Sequence, residues 1–255
     1  MDVLQWAREQ GCPWDSGTCE AAAGAGHLEL LQWARRNGCP WRSSTCAAAA
    51  KGGHLAVLQW ARSTGCQVSS HSCRNAAEMG HLDVLKWLRE QGCPWGEDTC
   101  SAAAQGGHME VLQWARANGC PWDSSACLAA ASGGHLQVVQ WLKGEGCSLG
   151  PRTCAAAAWH PLPLLQWVRE NGCTWDAETC AAAARAGRLD VLQWAREHGC
   201  PWDAMTCKNA AAQGHLELLQ WAREQGCPWD RTTRTWALVH GHLEILQWAK
   251  DNGCP

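Results

Sequence analysis

The phrase GHLELLQWARRNGCPW, from Gly26 to Trp41, returns in nearly the same words along the whole chain. Its tryptophan recurs at Trp6, Trp33, Trp60, Trp87, Trp114, Trp141, Trp167, Trp194, Trp221 and Trp248. The spacing is 27 residues, broken once by 26 between Trp141 and Trp167. A fixed period of this size constrains the fold more than any other feature of the sequence. It means one small unit used repeatedly, each copy covering the next. A stacked array has no single central core. The one or two globules that 255 residues would otherwise suggest therefore give way to one array over 1–255, with an irregular unit near 147–167.

One unit, from Asp15 to Trp41, reads as two helices. Asp15 is a good N-cap, because its side-chain oxygen can accept from the free amides of a first turn. The alanine-rich stretch from Ser16 to about Gly24 forms the first helix, and its lack of bulk admits another backbone. Gly26 breaks it. The second helix runs from about His27 to Asn37 and stops at Gly38, a residue type that tolerates the left-handed conformation after a helix end. Pro40 forbids continuation. On this second helix Leu28, Leu30, Leu31, Trp33 and Ala34 cover an apolar arc of roughly 220°. So wide an arc predicts packing on more than one side, including against the second helices of both neighbours. At ~9–10 Å between packed helices, nine units would extend roughly 80–90 Å.

Departures from the pattern mark special places. Gln67 and Val68 replace the usual Cys-Pro-Trp corner, and Leu149 takes a corner tryptophan's slot. The short unit reads AAAAWHPLPLLQW, with Trp159, His160, Pro161 and Pro163 in place of the usual link. Prolines are tolerated in a first helical turn, where amides lack intrahelical acceptors. Arg234 stands where a buried cysteine is expected and reads as a solvent-facing edge.

Composition excludes several function classes. A net charge of −3 implies no broad attraction to nucleic acid or anionic membrane. No apolar run approaches the ~20 residues needed to span a bilayer. The opening MDVLQWAREQ reads as repeat, not as a leader or transit segment. The eighteen cysteines fall at two fixed places in the unit, beside alanine and tryptophan, and read as small buried hydrophobes. Reduced thiols then point to a cytoplasmic or nuclear compartment.

The phrase GHMEVLQWARANGCPWD, Gly107 to Asp123, resembles the second half of an ankyrin repeat, GHLEVVKLLLENGADVN. The TCxxAAxxG before it resembles the ankyrin first helix, TPLHxAAxxG, shortened by one residue. The likeness covers almost the whole chain and is closest to short Cys- and Trp-rich ankyrin-type repeats of large DNA viruses and protists. It implies an all-α solenoid of about nine helix-turn-helix repeats acting as a non-catalytic binding scaffold. Two departures stand out. Ankyrin units have about 33 residues, and the missing ones fall mainly between GCPWD and TC. A tight loop and no β-hairpin finger are therefore expected. The histidine of TPLH is replaced by changing residues such as Glu20, Arg74, Leu128 and Lys208.

Each chemical motif has a structural alternative. Cys39, Cys46 and His54 suggest a metal site, yet zinc favours a C-x₂₋₄-C knuckle that the sequence lacks. A Cys–His nucleophile is conceivable, but the pair repeats, whereas catalysis needs one singular place. The expectation is no enzyme, no metal and no cofactor. The helical tryptophans read as core. The corner ones (Trp14, Trp41, Trp95, Trp122, Trp175, Trp202, Trp229) pack on the next unit or form a binding row. The cation two residues after each helical tryptophan complements the helix dipole, with corner aspartates balancing it, or else forms a track for an acidic partner. The histidine of GH serves the tight turn.

The side chains that change from unit to unit are the candidates for recognition: Glu20, Lys51, Arg74, Glu78, Met79, Gln105, Leu128, Arg185, Met205 and Lys208, then Trp159 and His160. They predict a monomer that binds another protein along one face, without nucleic acid or membrane. A structural spacer within a longer protein and a Cys-rich metal or redox store remain as alternatives.

Overall fold

The computed structural model describes Trp6 and residues 8–255; the start of the repeat pattern at residues 1–5 and 7 lies outside them. Among the described residues there is no strand, and from Ser16 onward eighteen short helices follow one another. The first helices of the nine hairpins are Ser16–Gly24, Ser43–Lys51, Ser70–Glu78, Glu97–Gln105, Ser124–Ser132, Pro151–Ala157, Ala177–Arg185, Ala204–Ala212 and Arg231–Val239. The second helices are Leu28–Arg36, Leu55–Ser63, Leu82–Glu90, Met109–Ala117, Leu136–Gly144, Leu162–Glu170, Leu189–Glu197, Leu216–Glu224 and Leu243–Asp251. The corners between hairpins are irregular, with no β-finger, as the shortened loop requires.

The caps explain why helices of nine residues hold. The Asp15 carboxylate accepts the Gly17 amide at 2.9 Å, and Asp176, Asp203 and Asp230 repeat the contact in later hairpins. Outside the short hairpin, both helices end in a Schellman motif. The amides of Gly26 and His27 reach back to Ala23 and Ala22, and those of Gly38 and Cys39 to Arg35 and Ala34. Gly26 (φ 76°) and Gly38 (φ 81°) supply the left-handed residue that this motif demands.

The chain divides into two compact bodies, Met1–Ala126 and Cys127–Pro255. Within each, first helix packs on first helix along an alanine seam. A Cβ on Gly24 would lie 3.6 Å from that of Ala48, so these backbones meet closely. The core consists of Leu31, Ala34, Ala22, Ala23 and their equivalents, which are buried up to the last hairpin; there Leu238 is exposed and Leu246 half-buried. The second helices pack mainly on their own first helix and touch their counterparts only sparsely, which corrects the expected second-to-second stacking. The helical tryptophans are corrected too. From Trp33 to Trp248 they are half-buried, while Trp6 is 61% exposed. An indole is too large for a seam set by alanine, so it moves to the flank.

In the short hairpin the first helix has seven residues, Pro151–Ala157; Pro161 is the N-cap of the next helix and Pro163 lies in its first turn, where proline is tolerated.

Candidate functional site

Three sets of recurring side chains hold the array, and one further stripe changes from hairpin to hairpin. The first set is sulfur. Corner cysteines donate their thiols to the carbonyl of the N-cap residue in their own hairpin: Cys39 to Asp15, Cys66 to Arg42, Cys93 to Ser69 and Cys120 to Gly96, at 3.1–3.3 Å. Cys173, Cys200, Cys227 and Cys254 do the same in the C-terminal body, at 3.1–3.5 Å. The first-helix cysteine lies against this corner thiol. Burial, then the hydrogen bond with Cys39, pushes the Cys19 thiol up to about 12. The bond with Cys66, with burial, likewise raises Cys46. Seventeen of the eighteen cysteines are buried; Cys12 is exposed. Among the described residues no three His, Cys, Asp or Glu side chains converge where a metal ion could sit.

The second set is histidine. His54, His81 and His108 place Nε2 3.0–3.1 Å from the carbonyls of Gly24, Lys51 and Glu78, and His160 and His242 reach Ser132 and Ala212 at 2.9 and 3.2 Å. Each acceptor is the last residue of the preceding hairpin's first helix, whose carbonyl has no partner inside the helix. A carbonyl only accepts, so Nε2 carries the proton. The imidazole lies where a glycine of the previous turn has no Cβ: Gly26 under His54, Gly53 under His81, Gly134 under His160. His160 thus does the work of the regular GH histidines despite the shorter link. Arg188, in the histidine's place, instead pairs with Asp190 at 2.9 Å.

The third set runs along the corners. Trp33 meets Trp14 edge-on at 5.6 Å, and Trp60 meets Trp41 likewise. Arg35 stacks over Trp41 at 4.2 Å and donates to the Cys39 carbonyl. Arg89, Arg169, Arg196 and Arg223 repeat both contacts. These cations are held by indoles and carbonyls, while the carboxylates of Asp15, Asp176, Asp203 and Asp230 are engaged in capping bonds. In the last hairpin the position carries Lys250, and Arg234 donates to the Cys254 carbonyl at 3.0 Å. Arg234 is therefore engaged, not simply a solvent edge.

The remaining stripe lies on the first helices. Its positions are two before the cysteine, one after and five after, for example Arg152, Ala155 and Trp159. That i, i+3, i+7 spacing puts them on one helix face. Open grooves run between neighbouring stripes. One of about 510 Å³ is lined by Glu20, Ser44, Lys51, His71 and Asn75; Ser44 there donates to Glu20 at 2.5 Å. A second, about 450 Å³, is lined by His71, Arg74, Asp98, Ser101, Gln105 and Ser125. In the C-terminal body Leu128, Ser132, Arg152, Ala156, Trp159 and Glu178 line one of about 500 Å³.

The predicted residues fall unevenly on this surface. Glu20, Lys51, Arg74, Gln105, Leu128 and Trp159 line grooves. Arg185 stacks over Trp159 at 5.6 Å. Lys208 stacks over Trp236 at 4.7 Å, with Nζ 3.9 Å from the Met205 sulfur. Glu78 is half-buried and Met79 exposed, at the end of their helix. His71, Arg152, Glu178 and Trp236 were missed by the sequence reading. Aligning the units on the cysteine would have found His71, Arg152 and Glu178, each two residues before it; Trp236 lies two after Arg234, in the one hairpin whose first helix lacks that cysteine.

Such an arrangement, with recurring side chains committed to the scaffold and a changing stripe on one face, defines a helical-hairpin repeat protein. Residues 100–142 match the family model described as ankyrin repeats (many copies). The unit they span recurs through the chain. The ankyrin repeat domain of human ASB11 is similar, at 18% identity over 61% of this chain and 84% of that one, with a TM-score of 0.49. No curated relative matches the chain.

Proposed function

We propose that the chain is a non-catalytic adaptor whose first-helix stripe binds a partner protein. Ankyrin repeats are generally protein–protein interaction modules. The observation that carries the reading here is the division of labour among side chains. Cysteine, histidine, arginine and tryptophan recur with partners inside the array, while the stripe changes from hairpin to hairpin and lines open grooves. Grooves that are polar at their edges and small-residue at their floor suit another polypeptide better than an enclosed small molecule.

Among the described residues no helix is long and apolar enough to cross a membrane. We place the protein in a reducing compartment, cytoplasmic or nuclear, as a monomer that presents this face. Simultaneous Arg74→Glu, Arg185→Glu and Lys208→Glu substitutions, all on the stripe, are expected to abolish capture of a partner from the source cell. Unchanged capture would move the site to another face, and no capture by the unsubstituted chain would favour a structural spacer.

A further inference from the structure

The two bodies carry different charge on the stripe. In Met1–Ala126 it holds Lys51 and Arg74 against Glu20, Glu78 and Asp98. In Cys127–Pro255 it holds Arg152, Arg185 and Lys208 against Glu178 alone. None of these three cations is in an ion pair, since the one ion pair among the described residues is Arg188–Asp190. They lie among large exposed apolar groups: Trp159 (44% exposed), Met205 (41%) and Trp236 (38%). Two cations already sit on indoles, Arg185 on Trp159 and Lys208 on Trp236. Exposed indoles beside unpaired cations are what interface anchors look like before their partner arrives.

We propose that this part of the stripe binds an extended acidic peptide segment with large apolar side chains between its carboxylates. The proposal rests on the reading that the stripe binds protein, and it names the partner's chemistry. Packed helices lie roughly 9–10 Å apart, and three residues of extended chain span about 10 Å. Carboxylates three residues apart therefore reach Arg185 and Lys208 on successive helices, while the residues between lie on Trp159, Met205 and Trp236. A continuous polyanion fits less well. Glu178 and the capping carboxylates of Asp176, Asp203 and Asp230 stand at the start of these helices and would repel an unbroken row of phosphates.

The test is fluorescence anisotropy with the whole 255-residue chain. The probe is a labelled peptide of about twelve residues, long enough to cross four helices, with Asp at every third place and Leu or Phe between. A Lys-for-Asp counterpart, a neutral Ser-for-Asp counterpart and a single-stranded oligonucleotide of equal charge are measured beside it. The acidic peptide is expected to bind best and to weaken with salt. Arg152→Gln, Arg185→Gln and Lys208→Gln together should weaken it at least about tenfold. Lys51→Gln with Arg74→Gln should leave it unchanged. Circular dichroism and a urea midpoint establish that each variant is folded.

No binding of the acidic peptide, equal binding of the lysine or neutral peptide, tighter binding of the oligonucleotide, or indifference to the triple variant would each overturn the proposal. If the lysine or neutral peptide binds and stripe substitutions abolish that binding, the acidic class falls while the protein-binding reading stands. If no peptide of any charge binds and no partner is captured, both fall.

Discussion

A glycine under an imidazole offers a direct measurement of what joins one hairpin to the next. Gly53 has φ 74°, and a Cβ there would lie 2.6 Å from Cε1 and 2.7 Å from Nδ1 of His81. Gly53→Ala therefore carries two costs. Holding an L-residue in the left-handed region costs about 1–2 kcal/mol. Displacing the ring also breaks the 3.1 Å contact from His81 Nε2 to the Lys51 carbonyl, at about 1 kcal/mol. Gly38→Ala is the control: its φ is 81°, but nothing lies within 4 Å of the added carbon, so only the backbone cost applies. The difference between the two, about 1 kcal/mol, belongs to the histidine contact. It corresponds to a few tenths of a molar in urea midpoint. Far-UV circular dichroism through a urea titration reads it, fitted with a nearest-neighbour scheme because hairpins in an array can unfold separately. In a His81→Ala background the Gly53→Ala cost should fall to that of Gly38→Ala. Equal losses for the two glycines in the unsubstituted chain, or no coupling to His81, would refute the claim that the imidazole joins the hairpins.

Two further outcomes follow from the same packing. Gly24→Ala should stabilise by about 0.5–1 kcal/mol, because the new methyl meets Ala48 at ordinary contact, 3.6 Å, and helical glycine is entropically poor. Gly52→Ala should destabilise, because its Cβ would stand 2.5 Å from the Gly24 carbonyl oxygen; matching midpoints for the two would contradict the seam described. For the thiols, native protein at neutral pH should react quickly with a thiol reagent at Cys12 alone, and at all eighteen cysteines after denaturation. The folded state holds the Cys19 proton more tightly than an ordinary thiol near 9, so its contribution is full below pH 9 and is lost as pH rises towards 12. A urea midpoint unchanged across that window would count against burial of the thiols.

Helix limits were legible because each is written in a capping residue. Asp15 and Gly38 predicted the ends of Ser16–Gly24 and Leu28–Arg36 almost to the residue. What the tryptophans do was not legible. Periodicity gives the width of an apolar arc but not which part faces the closest neighbour, and the alanine seam decides that by size. The arginine after each tryptophan was read through the helix dipole, since its stacking partner lies six residues on, beyond one helix's pattern. His160 drew notice as an irregularity. The link to Ser132 is 28 residues where regular links such as His54 to Gly24 are 30, yet the ring reaches the same helix-end carbonyl. The stripe was half legible. Positions after the cysteine showed themselves against a run of alanine, whereas Arg152 and Glu178 lay in a first turn that varies in any case.

Why a 27-residue unit can afford so variable a stripe follows from where its fixed contacts lie. The Cys39–Asp15 bond closes a hairpin on itself, the His54–Gly24 bond ties it to the hairpin before, and the Trp–Arg contacts brace the corner. All three use backbone carbonyls or conserved-size side chains outside the stripe. Alanine beside alanine then sets the distance between first helices whatever the stripe carries. Replacing Lys51 by Glu78 or Arg185 at equivalent helix ends leaves those contacts in place, because none of them involves the charged atoms. The stripe can therefore change hairpin by hairpin without disturbing the stacking, so the charge difference between the two bodies is not set by what holds the helices together.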